Sequence, residues 1–154
     1  MIIKTILLIL VVGLIILSIL TLIKKQRLKK AATIVRNSSE TIVNSAMIYV
    51  AQNLAPWGVK FLTTEGDSVA DVWGQSVVGF NYKADLSQNQ TTEQLERQIN
   101  RLLATYSQNH HFEDANGPLL QVSDIWIIEN VLELDVVYLI NPQTRAYLSD
   151  LSKL

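Results

Sequence analysis

The sequence predicts an α+β chain: a single N-terminal transmembrane helix continuing into an amphipathic helix, then a small antiparallel sheet of four to five strands with one or two further helices. Three observations predict it. Thr5 to Ile23 runs about nineteen residues without a charge, enough at about 1.5 Å per residue to cross a ~30 Å hydrocarbon core. Ala31 to Leu54 holds neither Gly nor Pro and repeats its apolar residues at helical spacing. Beyond Pro56 the period changes to two, as strands require.

The apolar run is longer than the h-region of a secretory signal. It meets Lys24, Lys25, Arg27, Lys29 and Lys30 rather than the small residues of a cleavage site, so it reads as a retained anchor. There is no Cys for lipoprotein attachment, and Ile2 stands where N-myristoylation needs glycine. Residues 1–30 are thus expected to form a transmembrane anchor whose basic block clamps anionic lipid headgroups, and residues 31–154 a single α+β domain large enough for one core. The lack of cysteine also excludes disulfides, Cys-ligated zinc and thiol catalysis. After Lys30 the basic residues are only Arg36, Lys60, Lys83, Arg97, Arg101, Arg145 and Lys153, against all 14 Asp and Glu. Such an acidic domain repels phosphate backbones, and nucleic acid is not an expected partner.

Taken in order, Val43, Met47, Val50 and Leu54 lie at i, i+4, i+7 and i+11, with Ile42, Ala46 and Tyr49 alongside, while Arg36 and Glu40 sit four apart on the polar side. With Gly13 the sole interruption, one helix from Thr5 to Leu54 is expected, stopped by Pro56. Val59, Phe61 and Thr63 alternate, Glu65-Gly66-Asp67 turns, Val69, Asp71 and Trp73 form a second strand, and Gly74-Gln75 leads into Val78, Phe80 and Tyr82. This predicts a three-stranded meander. Thr91 with Gln94 is a capping-box pair opening a helix with Leu95, Ile99, Leu102, Leu103 and Tyr106 on one face, ending near Asn109. Asn116-Gly117-Pro118 reads as a loop, and Leu120–Ile128 and Leu132–Ile140 as strands joined around Glu129-Asn130. Asn141 caps a last helix with Pro142 at its first position and Tyr147, Leu148 and Leu151 as its buried face.

A long N-terminal helix, first membrane-like and then amphipathic, followed by an antiparallel meander carrying Asp71-Val72-Trp73-Gly74, Phe80 and Tyr82, resembles type IV pilins and the pseudopilins of type II secretion. The similarity covers about the first eighty residues. It implies a component of an envelope assembly with its globular part outside the cytoplasm. The sequence shows no short basic leader with a Gly before a processing site and no Glu near the start of the apolar run, which speaks against a polymerising subunit.

Constellations that would carry chemistry are sparse. His110 and His111 with Glu113 and Asp114 offer metal-ligand atoms but only as chain neighbours. Asp85, Ser87, Asn89, Thr91, Glu93 and Glu96 match the oxygen positions of a calcium loop, with Gln90 where that loop wants glycine. Ser107, His110 and Asp114 contain the elements of a hydrolase triad without a nucleophile elbow. No catalytic residue, cofactor or metal is therefore expected. The expected function is that of a non-enzymatic, membrane-anchored, single-pass component of an assembly such as a pilus or secretion apparatus in the cytoplasmic (inner) membrane. Its partners would be the bilayer and other membrane proteins, with homo- or hetero-oligomerisation through Ile42, Val43, Ala46, Tyr49 and Val50. The alternative is a tethered sensor or ligand-binding domain with a pocket between the sheet and the Thr91–Asn109 helix. Five Lys/Arg after the apolar run place the domain in the cytoplasm by the positive-inside rule. The pilin resemblance places it outside, which is the reading preferred here.

Overall fold

The computed structural model describes residues 2–69, 76–151 and 153, with the backbone alone for residues 2–9 and 11. Contacts divide the chain into two units, Met1–Ile34 and Val35–Leu154. The strand expected at Val69, Asp71 and Trp73, the Asp71-Val72-Trp73-Gly74 stretch and the Gly74-Gln75 turn lie wholly or largely outside the described residues.

Helix α1 (Ile2–Leu54) supplies the whole first unit. Hydroxyls along it bond within the helix: the Ser18 hydroxyl donates to the Leu14 carbonyl and the Thr21 hydroxyl to the Ser18 carbonyl, each at 2.8 Å. Yet among the described residues no helix is long and apolar enough to cross a membrane. Lys24, Lys25 and Arg27 close the apolar stretch immediately after Ile23. This corrects the expected transmembrane helix and single-pass placement in the inner membrane.

The second unit is α+β, and α1 ends where proline dictates. The α-helix stops at Leu54, Ala55–Trp57 make one 3₁₀ turn, and Gly58, at φ 76°, donates its N–H to the Ala55 carbonyl at 3.1 Å. Strands β1 (Val59–Phe61) and β2 (Asp67–Ser68) follow, both antiparallel to β3 (Gly79–Leu86). Val59 lies opposite Leu86 and Asp67 opposite Asn81, so β1 and β2 occupy successive stretches of one edge of β3. Among the described residues β1 and β2 thus form one edge of β3, broken in two. Helix α2 (Thr92–His110) opens with the expected capping box, Thr91 Oγ1 accepting from the Gln94 N–H and Gln94 Oε1 from the Thr91 N–H, both at 3.3 Å. His111 closes it in the left-handed region at φ 59°. Where a loop was expected, β4 (Glu113–Asp114) and β5 (Gly117–Pro118) pair as a minimal hairpin.

Strands β6 (Leu120–Ile128) and β7 (Val131–Tyr138) form the expected hairpin. Glu129 at φ 50° and Asn130 at φ 69° supply the two positive angles that match a tight turn to the twist of its strands. A bulge between Val122 and Asp124 interrupts the register. The sheet order is β1-β3-β7-β6, with β2 beside β1 on β3. One face carries Phe80, Tyr82, Leu132, Leu134 and Val136, all buried with Val43, Ala46, Met47, Val50 and Leu54 of α1 and Leu95, Ile99 and Leu103 of α2. Helix α3 (Pro142–Leu151) is started by Asn141, whose Oδ1 accepts from the Thr144 N–H at 2.8 Å. Its buried residue is Thr144; Tyr147, Leu148 and Leu151, expected there, are only half-buried. Thr144 Oγ1 accepts from the Val78 N–H at 3.0 Å and donates to Asn141 Oδ1 at 2.9 Å, tying α3 to the entry of β3.

Candidate functional site

Three surfaces offer themselves, and each is built by a different part of the chain. In the first unit, Leu14, Ile15, Ile16 and Leu17 are 57, 53, 52 and 60% exposed, four consecutive residues that between them point to every side of the helix. The basic residues Lys24, Lys25, Arg27, Lys29 and Lys30 are all exposed and make no ion pair among the described residues. Nothing on α1 before Glu40 carries a negative charge, so this surface is apolar and then strongly positive.

The stripe expected to join this chain to copies of itself or to other helices lies in the second unit and serves its core. Val43, Ala46 and Val50 are 0% exposed, and Ile42 and Tyr49 pack partly buried against the same core. The large apolar residues that α1 leaves outward in this unit are Val35 and Ile48, 36 and 45% exposed. Tyr49 belongs to an aromatic chain: its ring centre is 5.8 Å from Tyr106, which lies 4.2 Å from His110 and 6.3 Å from Phe112.

That stacking explains what becomes of the histidines. His110 is held against Tyr106 and Phe112, His111 is the left-handed cap of α2, and Asp114 pairs with Arg145. Ser107 is fully buried, and its hydroxyl has no hydrogen-bond partner among the described residues. The triad elements are therefore not brought together. No group of three His, Cys, Asp or Glu that could hold a metal ion occurs among the described residues. In the calcium-like segment Thr91 is used as a helix cap, the Ser87 hydroxyl donates to the Gly58 carbonyl at 3.1 Å, and the Glu93 carboxyl is held below its ordinary pKa by its own backbone N–H and the Thr91 hydroxyl.

The second surface is an apolar groove of about 650 Å³ between the end of α1 and β1, lined by Ala51, Ala55, Val59 and Phe61. The third is a smaller cavity of about 290 Å³ where α2, β5, β6 and α3 meet, with Asn100, Asn116, Gln121 and Arg145 around a floor of Leu120 and Leu139. Sequence reasoning missed this cluster because its polar members come from four separate stretches of chain. A further buried polar pair lies on the sheet face opposite the core, where Asn81 Nδ2 donates to Asp135 Oδ1 at 2.8 Å. Burial raises the Asp135 pKa, the Asn81 hydrogen bond opposes the rise, and the charges of Asp124 and Glu133 add to it. Nearby, the Tyr147 phenol is pushed up to about 12, first by burial and then by the charge of Asp135.

No protein-family model matches this sequence, no curated protein matches it, and no solved structure matches its fold. The pilin comparison accordingly stands on the residues quoted for it, of which Asp71-Val72-Trp73-Gly74 is outside the described part. The expected pilus or secretion role of a single-pass membrane protein is corrected together with the membrane span it depended on.

Proposed function

We propose that this chain is a non-enzymatic component of a larger assembly, joined to its neighbours by helix–helix packing along the first unit and presenting its sheet domain for docking. One observation carries the reading: the apolar residues of α1 are half or more exposed on all sides of the helix, from Leu14 through Leu22. A soluble helix keeps one stripe apolar and the rest polar; one that is apolar all round needs cover from outside itself. Partner helices provide that cover, and the unpaired basic block beyond it engages anionic groups at the rim, lipid headgroups included. The constellations that would argue for catalysis are occupied as caps, stacks and ion pairs.

Because the chain has no cysteine, Ser18→Cys places one thiol on the exposed surface. A bismaleimide cross-linker applied to cells expressing this variant is expected to give discrete adducts larger than the chain. Their absence, with the same thiol shown to be reactive by a monofunctional maleimide, would overturn the helix-packing reading.

A further inference from the structure

We propose that the cavity between α2, β6 and α3 binds a small monocarboxylic acid, its carboxylate taken by the Arg145 guanidinium and its apolar body seated on Leu120 and Leu139. The guanidinium is oriented before any ligand arrives. Its Nη2 donates to Asp114 Oδ2, and the other oxygen of Asp114 accepts from the Asn116 N–H at 2.8 Å, which fixes the carboxylate that does the fixing. Among the described residues Arg145 makes no other side-chain hydrogen bond, so Nε and Nη1 are left as donors. A planar fork with spare donors matches a carboxylate in a way that a lysine does not.

The surroundings favour the same class. Asn100 Oδ1 accepts from the Val122 N–H at 2.8 Å, which settles the amide's orientation and leaves its NH₂ as a donor at the cavity wall. The side-chain amides of Gln121 and Asn116 also line the wall and make no hydrogen bond among the described residues. Leu120 and Leu139, 2 and 7% exposed, provide an apolar floor. A volume of about 290 Å³ lies at the small end of ligand pockets, which suits a small molecule rather than a chain segment. Asp114 argues for a single charge, since a dianion would set two negative charges beside an existing carboxylate. This site is independent of the helix packing proposed above and does not depend on it.

The test is saturation-transfer NMR on the full chain in a neutral detergent, with 4-methylpentanoate as the probe and 4-methylpentanamide as its uncharged match. Saturable binding of the acid is expected, with the amide at least tenfold weaker and Arg145→Gln weakening the acid at least tenfold while leaving the amide unchanged. Asn100→Asp keeps an acceptor for the Val122 N–H but puts a negative charge on the wall. It is expected to abolish acid binding and decides the matter if Arg145→Gln does not fold, as judged by its urea midpoint. Equal binding of acid and amide, equal binding of the acid by the wild type and Asn100→Asp, or no saturable binding of the acid would each overturn the proposal.

Discussion

Asn44 Oδ1 accepts the Tyr82 hydroxyl at 2.6 Å, joining the middle of α1's packed half to the central strand β3. The same oxygen accepts from the Gly66 N–H at 3.1 Å, so one amide secures both the helix–sheet contact and the break in the edge strand. Tyr82 is 1% exposed, and burial together with the charge of Glu40 raises its pKa far above the ordinary phenol value.

Replacing Asn44 by Leu strands the Tyr82 hydroxyl and the Gly66 N–H together. Leaving a buried polar group without its partner costs about 1–3 kcal/mol. Tyr82→Phe removes the hydroxyl along with its need and is expected to cost less. In urea denaturation the double variant Asn44→Leu/Tyr82→Phe is expected to fall short of the sum of the two singles, since the residues share one interaction. Strict additivity would show that the hydrogen bond contributes nothing.

Gly66→Ala tests the same corner sterically. A Cβ there would lie 2.5 Å from Tyr82 Cζ and 2.8 Å from Phe80 Cβ, both in the core. Overpacking of this kind typically costs about 1–3 kcal/mol. At Gly13 a Cβ meets nothing within 4 Å, so Gly13→Ala is expected to leave the urea midpoint of the sheet unit where it is.

The hairpin at Glu129-Asn130 runs through two positive φ angles, one of them on a glutamate. Replacing the pair by Asn-Gly supplies the residues this turn prefers and is expected to stabilise the fold. Asn130→Val is expected to destabilise. Thermal midpoints of the two variants, moving apart from the wild type in opposite directions, are the check.

How far the sequence could be read depended on how far apart in the chain the determinants lie. The Thr91 cap, the Glu129-Asn130 turn and the Asn141-Pro142 start are local devices, and the structure has each of them in place. The split of the edge strand was not legible, because it is held by Asn44 from a helix 22 residues earlier. Nor was the buried face of α3, where the deciding contact is Thr144 with the Val78 N–H, 66 residues away. The apolar run was the loudest signal and the most misleading one, since among the described residues no helix is long and apolar enough to cross a membrane. For the cavity, Asn100, Asn116, Gln121 and Arg145 share no motif, and only the packing of α3 beside α2 and β6 gathers them.

Asp135 gives a pH dependence whose sign follows from burial. Its folded pKa is raised, so folding is favoured by this group below the ordinary carboxylate range, and that contribution is lost as pH rises through the folded value. Asp135→Asn keeps an oxygen to accept from Asn81 and has no proton to lose. Urea midpoints from pH 3 to pH 8 are expected to show the variant gaining on the wild type as pH rises. Parallel profiles would mean that Asp135 titrates in the native state as it does unfolded.

The broken edge strand has a consequence for how this protein behaves when crowded. An unpaired strand edge invites the edge of another molecule, and long flat ones seed aggregates. Here one edge is cut into pieces of three and two residues, Val59–Phe61 and Asp67–Ser68. At the other, β6 is kinked by its bulge near Ser123, and the Asn100 side chain already takes the Val122 N–H. Among the described residues neither border of the sheet offers a long regular template for the edge of another molecule.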